Sequence, residues 1–171
     1  IKPYQYSSFE EIMSRAKNPA LVVALDGVTD PRNLGAIVRS AAAFGASGVL
    51  MTERRAAGMT ASAWKSSAGA AARLPIAQVT NLARTIDEAK KMGCFVVGLD
   101  GESDVKIADM KVATEPLMVI VGSEGKGLAR LTREKCDIVV SIPISATTES
   151  LNASVATSIA LYAVDEARRK G

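Results

Sequence analysis

Histidine is missing from the chain altogether. Its absence removes the commonest general base, every Ser-His-Asp or Cys-His arrangement, and the HExxH class of metal site. Chemistry here must run on Arg, Lys, carboxylates, amides, hydroxyls or a cofactor, and no metal is expected. Aromatic residues are scarce at 4%, which argues against a protein that binds single strands by base stacking along its length. The two cysteines, Cys94 and Cys136, each stand beside an apolar stretch, and neither their number nor their spacing suits zinc or a disulfide framework. Buried free thiols are expected instead. No apolar run reaches the roughly 18 residues of a membrane span and no signal-peptide pattern occurs. A soluble, cytoplasmic protein is the expectation. The net charge of +3, from 21 Lys and Arg against 18 Asp and Glu, permits contact with nucleic acid without demanding it.

What is present reads as one globular domain, with 48% hydrophobic and 23% charged residues over 171 positions. The chain opens on Ile1, so it is expected to be a piece of something longer. Residues 1–20 read as a connector carrying a short helix, with Ser7 and Glu10 as its capping pair. From 21 to 171, apolar runs at 21–25, 48–51, 74–79, 94–99, 117–121 and 137–142 predict six strands. They alternate with helical patterns at 34–44, after Thr60, at 81–92, from Leu128, and at 150–170. Alternation of this kind predicts an α/β fold with a mostly parallel six-stranded sheet and helices on both faces. The 34–44 helix is unusual for its small residues, Gly35, Ala36, Ala41, Ala42 and Ala43. They let another backbone approach closely, either the sheet beneath or a second subunit. The last helix places Leu151, Val155, Ile159 and Tyr162 on one stripe.

Four loops follow predicted strands, at 26–33, 99–103, 122–127 and 143–150, and should share one edge of the sheet. In the third, a buried strand breaks into Gly122-Ser123-Glu124-Gly125-Lys126-Gly127. It is not a P-loop, because Lys126 is followed by Gly127 rather than Ser or Thr, and Arg130 stands where a dinucleotide fingerprint needs glycine. A tight turn with a solvated Glu124 accounts for it equally well. In the first loop, Asn33 sits at an expected helix N-cap, and Arg39 either snorkels to water or meets an anion brought by a partner. In the last, Ser145, Thr147, Thr148, Ser150 and Ser154 suit helix capping. Asn152 fits that role less well, because it falls on the stripe that continues to Val155 and Ile159 and a buried amide needs partners. The basic clusters Arg54-Arg55 and Arg168-Arg169-Lys170 read either as solvated charge or as phosphate sites.

Three motifs stand in order along the chain. They are Asp26-Gly27-Val28-x-Asp30-Pro31-x-Asn33-Leu34-Gly35-Ala36-x-x-Arg39, then Ile120-Val121-Gly122-Ser123-Glu124-Gly125-x-Gly127, then Ile142-Pro143 with Ser150-Leu151-Asn152-x-Ser154. Together they resemble the motifs of the SpoU (TrmH-type) RNA 2′-O-ribose methyltransferases of the SPOUT superfamily. Within it the chain is most similar to the branch acting on a guanosine of 23S ribosomal RNA. The resemblance implies a C-terminal trefoil knot, against the general rule that chains do not thread loops. It implies S-adenosylmethionine held at Leu99, Asp100, Gly101, Gly122, Ile142 and Leu151, an obligate homodimer, and an RNA substrate. It implies a small RNA-binding domain ahead of residues 1–20, and Arg39, Asn33, Glu124, Ser150 and Asn152 as the catalytic set. One departure is Ala146, where the family usually has glycine. Guanidinium groups are poor proton acceptors, so Arg39 reads as the stabiliser of the developing 2′-oxyanion rather than as the base. Transfer-RNA ribose methylation, or an inert RNA-binding or assembly module, remain open as alternatives.

Overall fold

The computed structural model describes residues 3–53, 58–123, 125–145 and 151–171. At its centre lie β1 (Leu21–Asp26) and β5 (Leu117–Gly122), paired in parallel with Leu21 opposite Leu117 and Asp26 opposite Gly122. With β2 (Gly48–Thr52), β3 (Ile76–Val79), β4 (Phe95–Leu99) and β6 (Ile138–Val140) they form one sheet in the order β3-β2-β1-β5-β4-β6. Every pairing in it is parallel. The central strands read as unbroken apolar runs because both of their faces are covered.

Alternation along the strands sorts the core into two layers. Leu21, Val23, Leu25, Leu117, Val119 and Val121 face one side, where α2 (Pro31–Ala43), α3 (Ala61–Ser66) and α6 (Ala153–Lys170) pack. Val22, Ala24, Met118 and Ile120 face the other, against α1 (Phe9–Arg15) and α4 (Leu82–Lys91). The short α5 (Arg130–Lys135) lies beside α4, with Thr132 buried.

Several local expectations shift by a residue or more. Ser8, not Ser7, caps α1 by accepting from the Glu11 amide, and the connector is packed onto the domain through buried Phe9 and Ile12. Asp30 caps α2 and Pro31 opens it, so Asn33 lies inside the first turn and is buried. The chain segment that presses on Gly35 is α3. A Cβ on Gly35 would stand 2.3 Å from the Ala63 carbonyl oxygen and 2.5 Å from the Ser66 Cβ. The stripe of Val155, Ile159 and Tyr162 faces outward, while Ala153, Thr157, Ala160, Leu161 and Val164 enter the core. The core face of α6 is built from small and medium residues, because that helix lies close against α2, where Ser40 and Ser158 share a 2.6 Å hydroxyl–hydroxyl hydrogen bond.

Arg168 also departs from its reading as solvated charge or phosphate ligand. Its guanidinium donates to the carbonyl oxygens of Pro19, Ala20, Ala113 and Glu115, tying the end of α6 to the chain entering β1 and β5. Burial lowers its pKa. Arg169 and Lys170 are exposed and pair with Asp165 and Glu166 one turn back. Arg54 and Arg55 lie outside the described residues. Cys94 and Cys136 are both free, the first buried and the second partly so. Burial pushes the Cys136 thiol up to about 11, with Lys90 opposing the shift and Asp137 adding to it. Among the described residues no helix is long and apolar enough to cross a membrane.

Candidate active site

β1 is followed by α2 on one face of the sheet, and β5 by α5 on the other. Divergence of this kind opens a crevice at the carboxyl ends of the strands. The glycine loop after β5 is folded there by its own backbone. The Gly127 amide donates to the Ser123 carbonyl at 2.9 Å, and Gly125 and Gly127 take φ of +81° and +65°. The turn lies so tightly on the end of the strand that a Cβ on Gly122 would stand 2.3 Å from the Gly127 carbonyl carbon. Asp26, at the end of β1, accepts from the Ala129 amide at 2.7 Å and fixes the far side of the turn.

The 99–103 loop is held in a similar way. Asp100 accepts from the Glu102 amide and pairs with Arg133 of α5. Ser103 donates to the Val139 carbonyl, and the 105–107 backbone pairs with Ser141, so this loop runs along the outer edge of β6.

Between these loops lies a cavity of about 290 Å³. Leu99, Val121, Val140, Ile142, Ile144, Leu151, Ala153 and Ala156 supply its apolar wall. Asp100, Gly101, Glu102, Gly122, Ser123, Gly125, Lys126 and Gly127 supply polar groups and uncovered backbone. All six positions expected at a cofactor line it: Leu99, Asp100, Gly101, Gly122, Ile142 and Leu151.

The expected catalytic residues are more scattered. Asn33 and Arg39 both lie on α2, outside the lining of the cavity, the first buried and the second exposed. Asn152 is not buried on an apolar stripe. It is exposed and caps α6, its Oδ1 accepting from the amides of Ser154 and Val155. A side chain just ahead of a helix meets the unpaired amides of the first turn before it meets any core. Glu124 and Ser150, with Ala146, lie outside the described residues. Asp26, Lys126 and Arg133 were not among the expected site residues. The repeated Asp-Gly at the ends of the first and fourth strands, Asp26-Gly27 and Asp100-Gly101, was the available signal for the first of them.

Residues 20–162 match the model of the SpoU rRNA methylase family. The chain belongs to that family. A relative in Mycobacterium sp. (strain KMS), an uncharacterized tRNA/rRNA methyltransferase, is 54% identical over 172 residues, which cover 99% of this chain and 54% of the relative. A Mycobacterium avium relative of the same description is 52% identical. The SpoU domain thus spans about half the length of the curated relatives it matches. Among solved structures, the SpoU methyltransferase AviRb from Streptomyces viridochromogenes, in complex with S-adenosylmethionine, superposes with a TM-score of 0.89. The two are 31% identical over 98% of this chain and 67% of AviRb. A TrmH/SpoU tRNA-modifying enzyme from A. aeolicus gives 0.81 at 27% identity, over 94% of this chain and 80% of that one.

Proposed function

We propose that this SpoU domain transfers a methyl group from S-adenosylmethionine to a ribose 2′-hydroxyl of RNA, a guanosine of 23S ribosomal RNA, working as a cytoplasmic homodimer. The convergence of all six expected cofactor positions on one cavity carries the reading. The cavity suits the cofactor in kind. Its apolar wall can take the adenine base and the aliphatic carbons of the methionine, and its glycines leave backbone amides and carbonyls open to the polar ends. At about 290 Å³ it lies near the lower end of small-molecule sites, roughly 300–1,000 Å³. The 103–107 segment along the free edge of β6 supports the threaded, knotted course of the chain that the family resemblance implies.

When bound, S-adenosylmethionine supplies an electrophilic methyl group on a sulfonium. This chain's residues must bring the 2′-oxygen into line, stabilise its charge and provide for its proton. Positioning alone is worth on the order of 7–11 kcal/mol. Among the described residues Arg39 makes no ion pair, so its guanidinium is available to an RNA phosphate and to the oxyanion. The neighbouring phosphate takes the proton. Asn33, Glu124, Ser150 and Asn152 orient Arg39 and the ribose. The outward stripe of Val155, Ile159 and Tyr162 is the surface on which a second copy packs. It lies on the same helix whose first turn lines the cavity, and α2, which carries Arg39, is bonded to that helix through Ser40.

The deciding experiment is calorimetric titration with S-adenosylmethionine alongside solution mass, followed by labelled methyl transfer to ribosomal and transfer RNA. Saturable binding by a dimer, with label at a 2′-oxygen of ribosomal RNA, is expected. Label on transfer RNA alone would overturn the choice of substrate, and no binding at millimolar cofactor would overturn the enzyme reading. For Arg39→Lys, activity that follows a new ionisation in the lysine range would make Arg39 the base.

A further inference from the structure

A second cavity, of about 820 Å³, lies well away from the first, beside β3 at the opposite edge of the sheet. With β3 three strand spacings from β5, roughly 15 Å of sheet width separates the two sites. The amino-terminal segment, the end of α1, the start of α3 and the approach to β3 enclose it. Trp64 stands in its wall with 44% of its surface exposed. Tyr4 braces the indole edge-on at 6.2 Å between ring centroids and is itself anchored through its hydroxyl to the Ala71 carbonyl. Arg15 and Arg73 also line the groove, both exposed, and neither guanidinium has a hydrogen-bonded or ionic partner among the described residues. Among the described residues no carboxylate lines it.

We infer that this groove is a second RNA-binding site, taking an unpaired stretch of the substrate with a base stacked on Trp64 and phosphates against Arg15 and Arg73. An aromatic face beside two unneutralised cations in a carboxylate-free groove is complementary to a single-stranded polyanion with flat bases. An acidic peptide would satisfy the arginines but leave the rigid, braced indole unused. The aromatic scarcity of the sequence does not oppose this. The fold brings the one tryptophan together with Tyr4 and Tyr6, whose rings lie 4.9 Å apart, so a single stacking platform is made from few residues. The inference rests on the RNA reading of the domain and adds where the flanking strand lies.

Trp64 is the only tryptophan, so its emission reports on this groove alone. The 171-residue chain is titrated with a mixed-sequence single-stranded RNA of about twelve nucleotides, within the usual site sizes of roughly 4–16. Anisotropy of the labelled RNA and Trp64 quenching are followed together. Saturable quenching parallel to anisotropy is expected, with Trp64→Ala weakening binding about tenfold and Trp64→Phe retaining most of it. Arg15→Gln combined with Arg73→Gln should lower the slope of log affinity against log salt by about 1.4, two single-strand phosphates' worth. S-adenosylmethionine affinity, unchanged in all variants, shows that they are folded. RNA bound with Trp64 emission unmoved and the salt slope intact would overturn the inference and leave the RNA reading standing. No RNA binding by the parent chain would overturn both.

Discussion

Replacing Gly122 by alanine tests the architecture of the active-site loop most directly. The new Cβ would stand 2.3 Å from the Gly127 carbonyl carbon, 2.4 Å from its oxygen and 2.6 Å from the Leu128 amide nitrogen. All three are backbone atoms, and ordinary contact begins near 3.4 Å. The Gly127–Leu128 backbone must therefore retreat by about 1 Å. Two short bonds resist that movement, Gly127 to Ser123 at 2.9 Å and Ala129 to Asp26 at 2.7 Å. Overpacking costs about 1–3 kcal/mol, and each weakened hydrogen bond adds roughly 0.5–1.5 kcal/mol. The expected loss is about 2–6 kcal/mol of stability, with weaker S-adenosylmethionine binding because the displaced loop lines the cavity. Gly101→Ala is the matched control. It lines the same cavity, but a Cβ there has nothing within 4 Å, so stability should change by no more than about 0.5 kcal/mol. Denaturant unfolding and calorimetric titration on both variants provide the comparison. Equal damage from the two substitutions, or a Gly122→Ala protein as stable as its parent, would refute the reasoning.

Arg168→Met should destabilise the fold by about 2–4 kcal/mol, because four backbone carbonyls lose their donor, whereas Arg169→Ala removes only an exposed pair and should cost under about 0.5 kcal/mol. Denaturation midpoints compare the two, and equal effects would mean that the carbonyl clamp is not holding the end of α6. The Cys136 thiol should ionise near pH 11 in the native protein but near its ordinary value of 9.0 once unfolded, as read by thiolate absorbance. With the native pKa raised, its contribution to stability is complete below pH 9 and falls away as the pH climbs from 9 to 11. Ile159→Asp, at 38% exposure on the outward stripe, should leave the fold intact while converting the proposed dimer to a monomer and abolishing methyl transfer. Light scattering and activity measured on the same sample check it, and an active monomer would refute the dimeric assignment.

The sequence by itself determined the α/β class, the six strands of the sheet and the edge of it, after the strands, where the loop cavity lies. Buried strands must be continuously apolar, and glycines cluster where a turn lies against backbone. Runs such as 117–121, and the loop beginning at Gly122, therefore carry their structure locally. Helix ends were less certain. Asp30, Asn33, Ser7 and Ser8 are all chemically able to cap, and only the course of the chain chooses among them. The tertiary structure alone decided which face of α6 is buried. Val155, Ile159 and Tyr162 form a better apolar stripe than Ala153, Thr157 and Ala160, yet it is the latter, with Leu161 and Val164, that enter the core. It decided too that Gly35 makes room for α3, that Arg168 binds carbonyls rather than phosphate, and that Trp64, Tyr4 and two arginines share one groove. Those outcomes join residues far apart in the chain. Local spacing carries no information about them, because they depend on which surfaces the packed sheet brings together.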